Sequence, residues 1–354
     1  MSSLLSAAGD PAGTPARREA HEPPEARGVA RDAVGMLVAT DDGLAHARAR
    51  DLPEHLRAGD LLVVNTSATL PAALPATRDD GTVLRLHLST PCGVPNGSRW
   101  VVELRDDGER FAEGHAGERL ALPGGASATL LAPYLTNARL WLADLDTHGR
   151  PFLAYLDFHG APIRYGYVAR EWPLSDYQTI FARDPGSAEM PSAGRPFTHE
   201  LVTALVTSGI AIAPVTLHTG VSSQEAGELP YPERFDVPAA TAHLVNAARA
   251  GGGRVVAVGT TVVRALESAA AEGAGDGTLR AAAGWTRHVV GPEHPVRAVD
   301  GLLTGWHEPE ATHLLMLRAI GGRALVEASY REALRSGYRR HEFGDLHLIL
   351  PRAR

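Results

Sequence analysis

Apolar residues along this chain gather into short blocks that stop on polar residues. In AGDLLVVN (58–65) a turn at Ala58-Gly59 precedes an apolar run that closes on Asn65-Thr66-Ser67, which predicts a buried strand. Between about Thr77 and Tyr155 the pattern changes to short alternating runs, Leu84 to Leu88, Trp100 to Leu104 and Leu140 to Leu142. DDG, PNG, LPGG and THG reversals separate them. That texture predicts a small antiparallel barrel. After Tyr155 strands and helices alternate. Thr198 is placed to cap a helix through Ser208, and Pro238 suits the first turn of one that ends before Gly251. Strands are expected at Ile210 to Leu217, Arg254 to Val258 and Leu346 to Leu350. Helices are expected at Val262 to Ala271, Glu310 to Ile320 and Arg323 to Ser336. The fold class is therefore α/β: a main domain split in sequence (21–75 and 156–354), an inserted β-barrel (76–155) and a disordered N-terminus (1–20).

Length and composition sharpen this picture mainly by exclusion. A chain of 354 residues, 44% of them hydrophobic, can bury a substantial core. Its net charge of −7 supplies no global basic field for a nucleic acid, so an RNA partner would need a local basic patch. All 34 basic residues are arginine. Without lysine, a Walker-type phosphate loop and Schiff-base chemistry are ruled out. The single cysteine, Cys92, can form neither an internal disulfide nor a thiolate zinc cage, and no run reaches the roughly 18 apolar residues of a membrane span. The expectation is a cytoplasmic protein with no metal and no membrane contact.

In an open α/β sheet, ligands collect beyond the carboxyl ends of the strands. Three such endings are polar: Asn65-Thr66-Ser67, His218-Thr219-Gly220 and Gly259-Thr260-Thr261. In the third, the glycine admits close backbone approach, a threonine can cap the following helix, and the helix N-terminus favours an anion, with Arg264 one turn further in. Thr260 as a plain cap and Arg264 as a solvated helix residue is the structural alternative. His218 can be either a core histidine or a proton-transfer group. His307, Glu308 and His313 lack the helical spacing of a metal site, because Pro309 breaks the helix. Arg164-Tyr165-Gly166-Tyr167, with Arg170 and Trp172, is a candidate stacking platform or simply a connection leading back from the barrel.

Seven segments, taken in order, resemble the S-adenosylmethionine:tRNA ribosyltransferase-isomerase family. They are DLPEHLRAGDLLVVN, YQTIFARDPGSAEMPSAG, FTHELVTAL, IAPVTLHTG, GGRVVAVGTTVVRALESAA, VDGLLT with a following His-x-Pro, and GYRRHEFGDLHLIL, together spanning most of residues 27–350. The resemblance implies a two-domain monomer, an α/β domain carrying an inserted barrel, and a reaction in which S-adenosylmethionine donates its ribosyl group to the 7-aminomethyl-7-deazaguanine base of a tRNA. The products are the epoxyqueuosine precursor of queuosine, adenine and methionine. It implies Pro191, Ala193, Gly194, Gly259, Thr260, Thr261, Arg264, Asp300 and Gly301 as cofactor-binding positions. His218, Thr261, Arg264 and His307 are implied as catalytic, with His218 the leading base. A sulfonium acidifies the adjacent C5′ protons, so one positioned base can start the sequence.

The chain also departs from the family pattern. Arg195-Pro196 stands where Leu-His is usual, the loop after His218 is short, Asn65-Thr66-Ser67-Ala68 replaces N-D-T-R, and Gly305-Trp306-His307-Glu308-Pro309 replaces N-F-H-L-P. Alternatives to the tRNA reaction are therefore a small-molecule acceptor, a sulfonium lyase, or a silent nucleoside- or RNA-binding protein.

Overall fold

The computed structural model describes residues 19–92, 98–135, 139–221, 231–273, 277–291, 296–307 and 313–352. In chain order the strands are β1 (Gly35–Thr40), β2 (Gly43–Arg48), β3 (Leu61–Asn65), β4 (Ser67–Thr69), β5 (Ala73–Thr77), β6 (Val83–Pro91), β7 (Arg99–Asp106), β8 (Glu109–Arg110), β9 (Arg119–Ala121), β10 (Ser127–Pro133) and β11 (Leu140–Asp146). They continue with β12 (Asp184–Ser187), β13 (Ala211–Leu217), β14 (Glu233–Val237), β15 (Val255–Val258), β16 (Ala282–Thr286), β17 (Gly301–Gly305) and β18 (Leu346–Leu350). The helices are α1 (Leu52–His55), α2 (Phe152–His159), α3 (His199–Thr207), α4 (Ala239–Ala250), α5 (Thr260–Glu272), α6 (His313–Gly321) and α7 (Arg323–Ser336).

Nine strands form one mixed sheet in the order β16-β14-β13-β3-β15-β17-β18-β1-β2. At its centre β13, β3, β15 and β17 run parallel, and β3 is buried at all five residues. Alternation along these strands serves two cores. Leu61, Val63, Val255 and Ala257 join Val263, Leu266 and Leu317 of the helices on one face. Leu62, Val64, Val256 and Val258 join Leu52, Leu201 and Leu205 on the other. Each fully buried Leu or Val side chain contributes about 1.5–3 kcal/mol, so burial on both faces explains why these strands read as continuous apolar runs.

The expected barrel is present. β5, β6, β7, β11, β10 and β9 close a six-stranded antiparallel ring through the β11–β7 pairing, with β8 appended to β7. Tyr155 and Leu156 of α2 pack into its core.

The helix boundaries follow the sequence signals closely. Thr198 caps α3 by accepting a hydrogen bond from the Leu201 N–H, 3.1 Å away. Residues 310–312 of the expected helix from Glu310 lie outside the described residues, as do Glu308 and Pro309. At the amino end, Glu19 bridges Arg340 and Ala20 is fully buried, so order begins before residue 21. A Gly/Ala/Pro-rich composition gave no sign of that contact, which depends on a partner more than 300 positions away. No helix among the described residues is long and apolar enough to cross a membrane.

Candidate functional site

Because β3, β13, β15 and β17 are parallel, their carboxyl ends share one edge of the sheet, and Asn65, His218, Gly259 and Gly305 meet there. Asn65 ties this edge together. Its Oδ1 accepts from the N–H groups of Ser67 and Leu217, both at 3.0 Å. Its Nδ2 donates to the Leu217 carbonyl at 2.9 Å and to Thr261 Oγ1 at 3.2 Å. One buried amide thus fixes the ends of two strands and the start of α5.

His218 stands just beyond β13, with Nδ1 2.7 Å from Ser67 Oγ. Ser67 Oγ lies 2.6 Å from Ser187 Oγ, which accepts from the Thr219 N–H at 3.0 Å. The ring lies over Gly186, where a Cβ would come within 2.5 Å of Nδ1, so any side chain at 186 would displace the imidazole. Burial, reinforced by the Arg234 charge and opposed by Asp184, pulls the His218 pKa down to about 4. The imidazole is therefore neutral at pH 7 and able to take a proton, while its Nδ1 side is held by the serine pair.

Gly259, not Thr260, occupies the cap position of α5. It adopts φ 99° and ψ 151°, and no side chain caps the helix. That backbone region is open to glycine and costs other residues about 1–3 kcal/mol. The Gly259→Ala variant is expected to lose stability by that amount in urea denaturation. Unchanged stability would show that the turn relaxes freely. The turn Ser192–Gly194 packs against this point. The Ala193 Cβ lies 3.6 Å from where a Cβ on Gly259 would stand, and Gly194 donates to the Pro191 carbonyl at 3.0 Å. Thr260 and Thr261 are partly exposed at the start of α5, where a helix N-terminus offers unpaired N–H groups to an anion.

Two expectations change here. Arg264 is neither solvated nor open to an incoming carboxylate: it is buried, ion-paired with Glu233, and aimed at the carbonyls of His288 and Thr286. Glu233 in turn accepts from the Gly220 N–H at 3.0 Å, so Arg264 acts on the loop after His218 through this carboxylate. Asp300 and Gly301 lie at the opposite edge of the sheet, because they begin β17 instead of ending it. Asp300 Oδ2 accepts from the Val255 N–H at 2.9 Å at the start of β15. A Cβ on Gly301 would come within 2.6 Å of Leu350 Cδ2, which makes this glycine a packing requirement.

His307 is at the site edge, just beyond β17. Its Nε2 lies 3.2 Å from Thr304 Oγ1 and its ring stacks on His313, with centroids 4.3 Å apart. Burial first, then the neighbouring histidines, keeps it well below the usual imidazole range. Pro196 stands where an imidazole was expected, and Arg195 before it is a scaffold residue. Arg195 is 2% exposed, pairs with Glu25, donates to the Asp176 carbonyl at 2.9 Å, and lies over the Phe343 ring.

Tyr167 belongs to the candidate stacking platform; the residues not anticipated are Ser187, Glu233, His341 and Glu342. Ser67 was visible as part of a polar strand ending, but nothing local marked the others. Glu233 and Glu342 enter antiparallel strands, β14 and β18, whose starting ends fall at the same edge as the carboxyl ends of β13 and β17.

Comparison with known proteins agrees with this architecture. The family described as Queuosine biosynthesis protein matches residues 13–349. The S-adenosylmethionine:tRNA ribosyltransferase-isomerase of Acidithiobacillus ferrooxidans is 39% identical over 86% of this chain and 87% of its own. The protein of the same name from Thermus thermophilus is 35% identical over 93% of this chain and 97% of its own. Among solved structures, the S-adenosylmethionine tRNA ribosyltransferase of Thermotoga maritima is 26% identical, with a TM-score of 0.52 over 96% of this chain and 99% of its own.

Proposed function

This chain belongs to the queuosine biosynthesis protein family, and on that premise we propose that it transfers and isomerises the ribosyl group of S-adenosylmethionine onto the 7-aminomethyl-7-deazaguanine base of a tRNA. Adenine and methionine are released. The observation that carries this reading is the shared strand-end edge: a neutral imidazole, a left-handed glycine turn and a helix N-terminus all lie on it.

In this reading His218 removes a C5′ proton next to the sulfonium. The C–H bond breaks, its electron pair remains on carbon beside the positive sulfur, and the imidazole becomes imidazolium. Ser67 and Ser187 are positioning residues that hold the ring's Nδ1 side. Gly259, Thr260 and Thr261 receive the methionine carboxylate or the ribose oxygens at the amino end of α5. Pro191, Ala193 and Gly194 shape the wall opposite them. Arg264 keeps the loop after His218 in place through Glu233. His307 closes the neighbouring side.

The experiment is incubation of the protein with S-adenosylmethionine, with and without tRNA carrying the aminomethyl base, followed by mass analysis. Adenine and methionine formed only with that tRNA is the expected result. Binding of S-adenosylmethionine with no turnover on the tRNA would overturn the reading. Turnover with the free base alone would point to a small-molecule acceptor.

A further inference from the structure

β18 runs antiparallel to β17, pairing Gly305 with Leu346, so the segment leading into β18 arrives at the edge where the other central strands end. A small pocket opens there, lined among others by Ser192, Gly305, His341, Glu342 and Phe343. Ser192 adjoins Ala193, which packs against Gly259, and the Gly259 N–H donates to Leu303 of β17 at 2.8 Å. The pocket therefore lies beside the Gly259 turn, at the same edge of the sheet. His341 presents its ring to the pocket, and behind it Tyr167 stacks at 3.9 Å between centroids and 13° between planes, with Tyr165 beyond at 6.0 Å. The Tyr167 hydroxyl donates to Glu342 Oε2 at 2.5 Å. His341 has φ 70°, a left-handed backbone unusual for a residue other than glycine, and this conformation sets its ring on the stack.

We propose that Glu342, beside the Tyr167–His341 stack, binds the primary amine of the acceptor base and takes a proton from it, so that the free nitrogen is the attacking group. This rests on the ribosyl-transfer reading above. The step balances without a further reactant: an ammonium N–H bond breaks, a carboxyl O–H bond forms, and the electron pair stays on nitrogen. The chemistry suits a flat base bearing a cation, because the ring stack offers a planar wall and the carboxylate offers a charge-assisted acceptor. The nearest guanidinium does not compete for Glu342, since Arg195 is engaged by Glu25 and the Asp176 carbonyl. Burial pushes the Glu342 carboxyl up to about 7, against the Tyr167 hydrogen bond, which lowers it. A primary amine of pKa about 10 would face a gap of roughly 6 units to an ordinary carboxylate, and about half that here. The charged and titratable groups around Glu342 are Tyr167, Tyr177, Glu189, Arg195 and His341.

Calorimetric titration of the full chain with free 7-aminomethyl-7-deazaguanine and with 7-methyl-7-deazaguanine separates the amine from the ring. The parent protein is expected to prefer the amine, and to lose that preference below about pH 7 as Glu342 takes up its own proton. Glu342→Gln is expected to bind the amine about 10–100-fold more weakly, with binding of the methyl base and of S-adenosylmethionine unchanged. Tyr167→Phe, which keeps the ring and removes the hydroxyl, is expected to shift the pH midpoint upward. The proposal is overturned if the parent binds both bases equally or neither, or if Glu342→Gln retains the preference with the same pH dependence. Absence of adenine release with the amine-bearing tRNA would instead count against ribosyl transfer, whatever the calorimetry shows.

Discussion

The His218→Ala variant is expected to release adenine from S-adenosylmethionine about a thousandfold more slowly than the parent, within the usual 10²–10⁴ range for losing a positioned base. Its affinity for S-adenosylmethionine should change little, because the imidazole is proposed to act on a proton that becomes mobile only in the transition state. The effect is thus expected in kcat, not KM. Ser67→Ala separates the chemistry from its support. It keeps the imidazole but removes the hydroxyl 2.7 Å from Nδ1, leaving the ring held only by packing over Gly186. About a tenfold loss in kcat is expected there. Parent-like turnover in His218→Ala would remove His218 from the reaction and move attention to Glu342 or His307.

Mild acid is expected to destabilise this protein markedly, because several of its histidines must be neutral in the folded state. His347 is fully buried against Trp306, its ring centroid 4.4 Å away, and among the described residues neither ring nitrogen has a hydrogen-bond partner. Burial pulls its pKa down to about 3. His87 in β6 is also pulled down to about 3, by burial first and then by Arg105 and Arg85.

A depressed histidine contributes its full stability above the unfolded value of 6.5, and loses it as the pH falls from there toward the folded value. At pH 5 the unfolded chain has gained a proton on each residue that the folded chain refuses, at about 2 kcal/mol each and roughly 4 kcal/mol for the pair. His218, His307 and His313 shift in the same direction. Glu342 opposes them, because its raised folded pKa adds stability as the pH falls below about 7. Against a typical total of 5–15 kcal/mol, the balance predicts a marked loss between pH 6.5 and pH 5. Urea denaturation at pH 7 and pH 5 measures it. His347→Phe keeps the stack on Trp306 and removes the titration, so the difference between the two pH values is expected to shrink by about 2 kcal/mol. An undiminished difference would show that His347 is not part of the acid response.

Much of this molecule could be read from short stretches of sequence. The apolar run Leu61–Val64, the threonine cap of α3, the glycine at 259 and the alternating hairpins of the barrel are each specified by residues within a few positions of one another. A period of two, a cap or a positive-φ glycine is a local steric fact. The polar strand endings therefore led to the sheet edge on which His218 and the Gly259 turn both stand.

What the sequence could not settle depended on which strands became neighbours and in which direction they ran. Asp300 and Gly301 sat in a segment matching the family, yet β17 begins with them, so the parallel pairing with β15 carries them to the edge opposite His218. Glu342 and Glu233 carried no local signal, and came to this edge because β18 runs antiparallel to β17 and β14 antiparallel to β13. Arg264 was legible as a cation one turn into a helix, but its partner Glu233 lies 31 positions away and was chosen by packing. The sequence by itself determined the elements, the capped turns and the family. Only the tertiary structure decided which residues share an edge, because long-range pairing, not local periodicity, sets strand direction and brings a carboxylate to a particular buried group.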